Sequence, residues 1–255
     1  MTDSNAKIFI YENLKDFHIT NMAKIKKTSA PDETTLIRLG GWFLIIGAIL
    51  GMISNVFHPR NPQIEIYQKQ IETVARSQIW VVDHLLWGFA GVLMLFGFIA
   101  LSRSFKTEPA RTWGRFAYIL AIVNTSLWVV LIGIDGLASK STHSAWFAAT
   151  GSEASIALHV AEALEHIDVA LFSMYIMLFF GINLLLYGIA TVHSLQYPKW
   201  MGYCVALLAI GSFIVGWIQA SNGLSFLITN VLFASFASFE MLWTLAMGVL
   251  LLRRN

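Results

Sequence analysis

The chain has 255 residues, of which 56% are hydrophobic and only 13% charged, with a formal charge of +2. Soluble domains carry about 25% charged residues, so this composition excludes an ordinary soluble enzyme and a disordered chain. The small excess of Lys and Arg excludes a nucleic-acid binder, and the single cysteine, Cys204, excludes an intrachain disulfide or a multi-cysteine metal centre.

In chain order, residues 1–38 come first. They are polar, hold six Lys and Arg, and lack the apolar core of a secretory signal. They read as a cytoplasmic N-terminal tail, within which Met22 is an alternative start. Residues 39–255 read as one membrane domain. Its six apolar stretches are about 39–57, 80–102, 114–136, 167–192, 201–219 and 226–252. Each has the ~20 residues needed to cross hydrocarbon as a helix, and none alternates like a barrel strand. Loop 58–79 predicts a short amphipathic helix after Pro59 and Pro62. Asp135-Gly136 reads as a helix stop and turn. Segment 152–166 has no breaker and continues into span four. That makes a helix of about 40 residues, roughly 60 Å long, which projects beyond the lipid or bends near Asp168.

Six spans put both termini on one side. Alternate segments divide Lys and Arg 13 to 4 in favour of the terminal side, so the positive-inside rule places both termini in the cytoplasm. Trp80, Trp113, Trp146, Trp200 and Trp217 fall near span ends, where an aromatic belt sits. The expected fold is therefore an all-α integral membrane bundle of six transmembrane helices.

Ionisable residues gather at the outer span ends: His58, Asp83, His84, Asp135, His159, Glu162, Glu165, His166 and Asp168. Gly47, Gly51, Asn55 and His58 share a face of span one, and Asn124, Trp128, Leu131 and Asp135 share one on span three. Glu240 lies about eight residues inside span six, on the order of 12 Å deep. A carboxyl at that depth faces the bundle interior, where it needs a partner or a proton. The plainer reading of Asp83, Asp135 and Asp168 is solvated span-end carboxylates. For His159, Glu162 and His166 it is a solvated helix extension. The Gly47/Gly51 pair fits close packing in the bundle or a homodimer seam.

Three functions fit these residues. In the first, an outward-opening pocket binds a hydrophobic small molecule or lipid. Glu240 at its floor, with Asp83, His84 and Asp135 at its mouth, supplies acid/base chemistry. Asn55, Trp87, Trp128, Tyr175, Asn230 and Trp243 form the walls. In the second, the protein is a non-enzymatic binding, sensing or structural membrane protein. In the third, His159, Glu162 and His166, at offsets of 3 and 7, supply a 2-His-1-carboxylate metal set. The residues specify no cofactor.

The strings RLGGWFLIIGAILG, NVFHPR, IDGLASK, AEALE, YPKWMGY and MLWTLAMGVLLLRR resemble a loosely defined set of small bacterial and archaeal six-span membrane proteins. The resemblance covers about residues 37–254. It implies the span count and the cytoplasmic (inner) membrane of a prokaryote, and it carries over no activity and no catalytic residue.

Overall fold

The computed structural model describes residues 33–253. The polar tail up to residue 32, with the alternative start at Met22, lies outside the described residues. From Ile37 onward the described residues form one compact unit, the bundle described below.

The described residues contain no strand and form seven helices. They are α1 Glu33–Phe57, α2 Tyr67–Arg76, α3 Trp80–Ser104, α4 Glu108–Ala148, α5 Gly151–His193, α6 Lys199–Asn222 and α7 Phe226–Leu252. All except α2 are long and apolar enough to cross a membrane. The protein is thus an all-α, multi-pass membrane bundle. Helices suit lipid because they satisfy their own backbone polar groups.

Helix α1 shows how the sequence sorts its faces. Gly40, Leu44, Gly47, Ala48, Gly51 and Ser54 are buried, while Trp42, Ile46, Ile49 and Ile53 are exposed. Small residues face the neighbouring helices and large apolar ones face outward, as lipid requires. A Cβ on Gly47 would lie 2.7 Å from Met94 Cγ and 3.0 Å from the Ala90 carbonyl oxygen. Gly47 is therefore one of the points where α1 and α3 touch, as Gly40 is against Ala100, and the Gly51 face turns toward Met241 of α7 inside the bundle. Trp113, Trp200 and Trp217 are exposed near helix ends, but Trp80 is only 1% exposed. It packs into the bundle instead of joining a surface belt.

Two boundaries differ from the sequence expectation. Asp135-Gly136 does not end span three. The chain passes through both residues in a π-helical stretch, Gly133–Ser139, and continues as α-helix over Lys140–Ala148. A wider turn absorbs the Asp-Gly pair without breaking the backbone ladder. On α5 the 43-residue helix does begin at Gly151. Its irregularity is at Ile176–Asn183, again π-helical, and not at Asp168. The outer extensions of α4 and α5 thus form a helical hairpin beyond the apolar spans.

The expected amphipathic segment is α2. It buries Ile71 and Val74 and packs against that hairpin. Lys140 Nζ donates to the carbonyls of Val74, Ala75 and Ser77 at 3.0, 2.7 and 2.6 Å. These carbonyls lie at the C-terminus of α2, where intrahelical donors run out, and a cation suits that end of the dipole. The Arg76 guanidinium lies 4.9 Å from the centre of the Phe147 ring. Just before α2, Glu65 Oε1 accepts the backbone N–H of Phe226 at 2.7 Å and so caps the N-terminus of α7.

Candidate functional site

One end of the bundle holds the C-terminus of α1, the N-termini of α3 and α7, and the outer parts of α4 and α5. Between these helices is a cavity of about 160 Å³, whose mouth is bordered by Ile64 and by Gln70 of α2. Helical phase sets its polarity. On α5 the wall reads Glu165, Asp168, Phe172, Tyr175 from the mouth inward, and on α4 it reads Asp135, Leu131, Trp128. These are i, i+3/i+4 rows on one face. Carboxylates line the mouth, and aromatic and methionine side chains line the depth. Met94 and Met241 close the inner end.

Histidines pair with two of the carboxylates, and a third histidine lies near another. His58 Nδ1 lies 2.8 Å from Asp83 Oδ2. Ser54 Oγ donates to the Asp83 carboxylate and to the Asp83 carbonyl. Facing a carboxylate, Nδ1 of His58 carries a proton. His84 differs. Its Nδ1 lies 2.7 Å from the Trp80 carbonyl and its Nε2 lies 2.9 Å from Asp135 Oδ2. A carbonyl only accepts, so Nδ1 must donate. The contact to Asp135 then requires one more proton, held on Nε2 or on the carboxyl. His84 is fully buried, while Asp135 is partly open and lines the cavity. The pair therefore holds a shared proton at the cavity wall. His143 Nε2 and Glu165 Oε1 lie 3.4 Å apart and almost wholly buried, without hydrogen-bond geometry, so that neither His143 nitrogen has a hydrogen-bond partner. Outside the spans, burial and then the Glu165 charge raise the Tyr67 phenol above its usual value.

Tryptophans brace these pairs. Trp80 Nε1 donates to the Asp135 carbonyl at 2.8 Å. Trp87 stacks on His58 with ring centres 5.1 Å apart and donates to the Gly51 carbonyl at 3.0 Å. Trp128 donates to the Trp87 carbonyl at 3.1 Å and stacks on Tyr175 at 4.5 Å. Two glycines make room. A Cβ on Gly91 would sit 2.5 Å from the Trp128 ring, and one on Gly136 would sit 2.5 Å from His84 Cβ.

Of the residues singled out in the sequence, Asn55, Trp87, Trp128, Asp135, Tyr175 and Asn230 line the cavity. Asp83 and His84 stand directly behind its wall. Glu240 does not form the floor. It is fully buried and turns toward α6, where Ser212 Oγ donates to its two oxygens at 3.0 and 3.2 Å. Its neighbours Ala237, Ser238 and Met241 face the cavity instead. Trp243 is buried away from the cavity, and its Nε1 has no hydrogen-bond partner. On the outer extension of α5, His159 Nδ1 and Glu162 Oε2 are 3.6 Å apart. His166 packs edge-on against Tyr67 at 4.6 Å, so the three do not converge. Among the described residues, the donor group close enough to hold a metal is His58, Asp83 and His84, with ligand atoms within 4.8 Å of one another.

The sequence-derived site set lacked His58, Ser54, Trp80, His143, Glu165 and Asp168. The phase of span one already placed His58 with Asn55, and the run of acidic residues on α5 marked Glu165 and Asp168. Nothing local marked His143, because it lies on a segment that reads as loop. The chain matches no family model, no curated protein and no solved structure.

Proposed function

We propose that this is a cytoplasmic-membrane protein of a prokaryote whose cavity binds a hydrophobic small molecule or lipid and transforms it by acid/base chemistry. The excess of Lys and Arg on the other side of the spans supports an outward-facing mouth. One observation carries the reading. A single cavity joins an aromatic interior to Asp135, whose carboxyl shares a proton with the buried His84. Pockets of this kind use an apolar wall for affinity and a few polar groups for orientation.

In the proposed reaction Asp135 is the group that meets the ligand. It gives its proton to a basic atom of the ligand, or takes one from an acidic C–H or O–H. In the first case the Asp135 carboxylate left behind balances the ligand's positive charge. In the second His84, locked by the Trp80 carbonyl, keeps the proton on Nε2 and balances the ligand's negative charge. Burial strengthens this exchange because no water competes at His84. The test compares untargeted lipid and metabolite profiles of membranes from cells producing the wild type or Asp135→Asn. A species consumed or formed only with the wild type is expected. Identical profiles remove the catalytic half of the proposal.

A second reading rests on the convergence of His58, Asp83 and His84, two imidazoles and a carboxylate of the kind that binds Zn or Fe(II). His58 Nε2 fits it. His84 fits only by giving up one of its present partners. Elemental analysis of the purified protein decides it: a stoichiometric metal lost on Asp83→Asn supports the reading, and a metal-free protein ends it.

A further inference from the structure

Four carboxylates and three histidines meet at the mouth. His58 takes Asp83, His84 takes Asp135, and His143 lies against Glu165. Asp168 is left over. Its Oδ1 is buried and has no hydrogen-bond partner, yet the residue lines the cavity beside Glu165 and Asp135. The two fixed cations nearby hydrogen-bond to carbonyl and amide oxygens and not to these carboxylates. Lys140 is held by three carbonyls at the end of α2. Arg60, at the rim, donates to Asn55 at 3.2 and 3.4 Å. A buried carboxyl oxygen without a donor is costly to maintain.

Directly inward from Asp168 the wall turns aromatic, with Phe172 and Tyr175 on the same face of α5 and Trp128 opposite. Asp168 and Tyr175 are seven residues apart, roughly 10 Å along the helix. The cavity is thus acidic at one end and apolar for about that length below it.

We infer that the cavity takes a lipophilic primary amine in its ammonium form, with the head at Asp168 and Glu165 and the apolar body among Trp128, Phe172 and Tyr175. This rests on the cavity reading proposed above and names its substrate class. An ammonium brings three N–H donors. One of them satisfies Asp168 Oδ1, and the charge offsets an acidic wall that the protein's own cations leave unmatched.

The test uses three probes with one chain and different heads: octylamine, octanol and octanoate. Each is titrated calorimetrically into the full chain in phosphatidylcholine nanodiscs at pH 7, with empty nanodiscs as the blank. Octylamine is expected to bind about tenfold or more tighter than octanol, as a charge-assisted bond to a carboxylate exceeds a neutral one, with octanoate weakest. Asp168→Asn is expected to bring octylamine down to the level of octanol and to leave octanol itself unchanged, which also reports that the variant is folded. Equal binding of octylamine and octanol to the wild type overturns the head-group inference and leaves the cavity reading standing. It would mean that Asp168 is a neutral acid. Tighter binding of octanoate overturns the inference too. If none of the three exceeds the blank, the cavity reading fails and the inference fails with it. The ranking on the wild type decides the matter even if Asp168→Asn does not fold.

Discussion

Gly133 and Gly136 sit three residues apart in the same π-helical stretch and should respond oppositely to an added methyl group. A Cβ on Gly133 meets nothing within 4 Å, whereas one on Gly136 lands 2.5 Å from His84 Cβ. Gly136→Ala should cost about 1–3 kcal/mol as overpacking and push His84 off Asp135. Gly133→Ala should be neutral or stabilising, since Ala outranks Gly in helices. Thermal unfolding of the two variants in the same detergent checks the contrast, and equal melting points would refute it. The Glu240 pocket carries a second prediction. Ser212→Ala leaves a buried carboxyl without its side-chain donor, at a cost of about 1–3 kcal/mol. Glu240→Gln should leave binding in the cavity unchanged, because the side chain faces α6. The depth and burial of Glu240 were legible in the sequence, since a carboxyl cannot face lipid. Its direction was not. The helical phase of one helix does not say which neighbour stands opposite, and Ser212 is 28 residues away.

At the scale of elements, the spans were legible because twenty apolar residues in a row admit few other structures. The π-helical stretches were not. Asp-Gly reads as a turn in any local window, and only the packing of Gly136 on His84 shows why the helix runs on. The same limit hid what holds α2 in place, for its ties are long-range. Lys140 reaches back from α4, and its replacement by Met should leave three helix-terminal carbonyls without the ammonium. Residues 67–76 should then exchange amide hydrogens faster, while the deep segments of α3 and α4 keep their protection. Unchanged exchange in α2 would mean the cap is dispensable. The Glu65 tie gives a pH signature. The hydrogen bond from the Phe226 backbone, first among its causes, holds the Glu65 carboxyl below its usual 4.5. A carboxyl lowered on folding stabilises the protein above its unfolded pKa, and the contribution fades as pH falls through the folded value. The gap in melting temperature between wild type and Glu65→Gln should therefore be full at about pH 6–7 and shrink as pH falls below 4.5. A gap that widens in acid would contradict the cap.

For the whole molecule, the direction of the mouth decides what the cavity can meet. The charge asymmetry is a property of the entire chain: Lys and Arg lie on the terminal side by 13 to 4, and the cavity opens at the opposite end, under α2. If the positive-inside rule holds here, α2 stands outside the cell and the cavity draws from the extracytoplasmic leaflet. Gln68 on α2 is exposed, and Cys204 is the single cysteine, so Cys204→Ser clears the background for Gln68→Cys. A membrane-impermeant maleimide should label that cysteine in intact cells. A cysteine placed at exposed Arg111, on the 103–115 side, should label only after the cells are opened. The reverse pattern would turn the mouth toward the cytoplasm. The cavity geometry and its ranking of amine over alcohol would be untouched, but the ligand would then be a cytosolic amphiphile and not one arriving from outside. That outcome would also show Lys140 and Arg76 to be cytoplasmic charges. The 13-to-4 division would then count the wrong side, a failure confined to orientation because every helix contact within the bundle is independent of which face meets the cytosol.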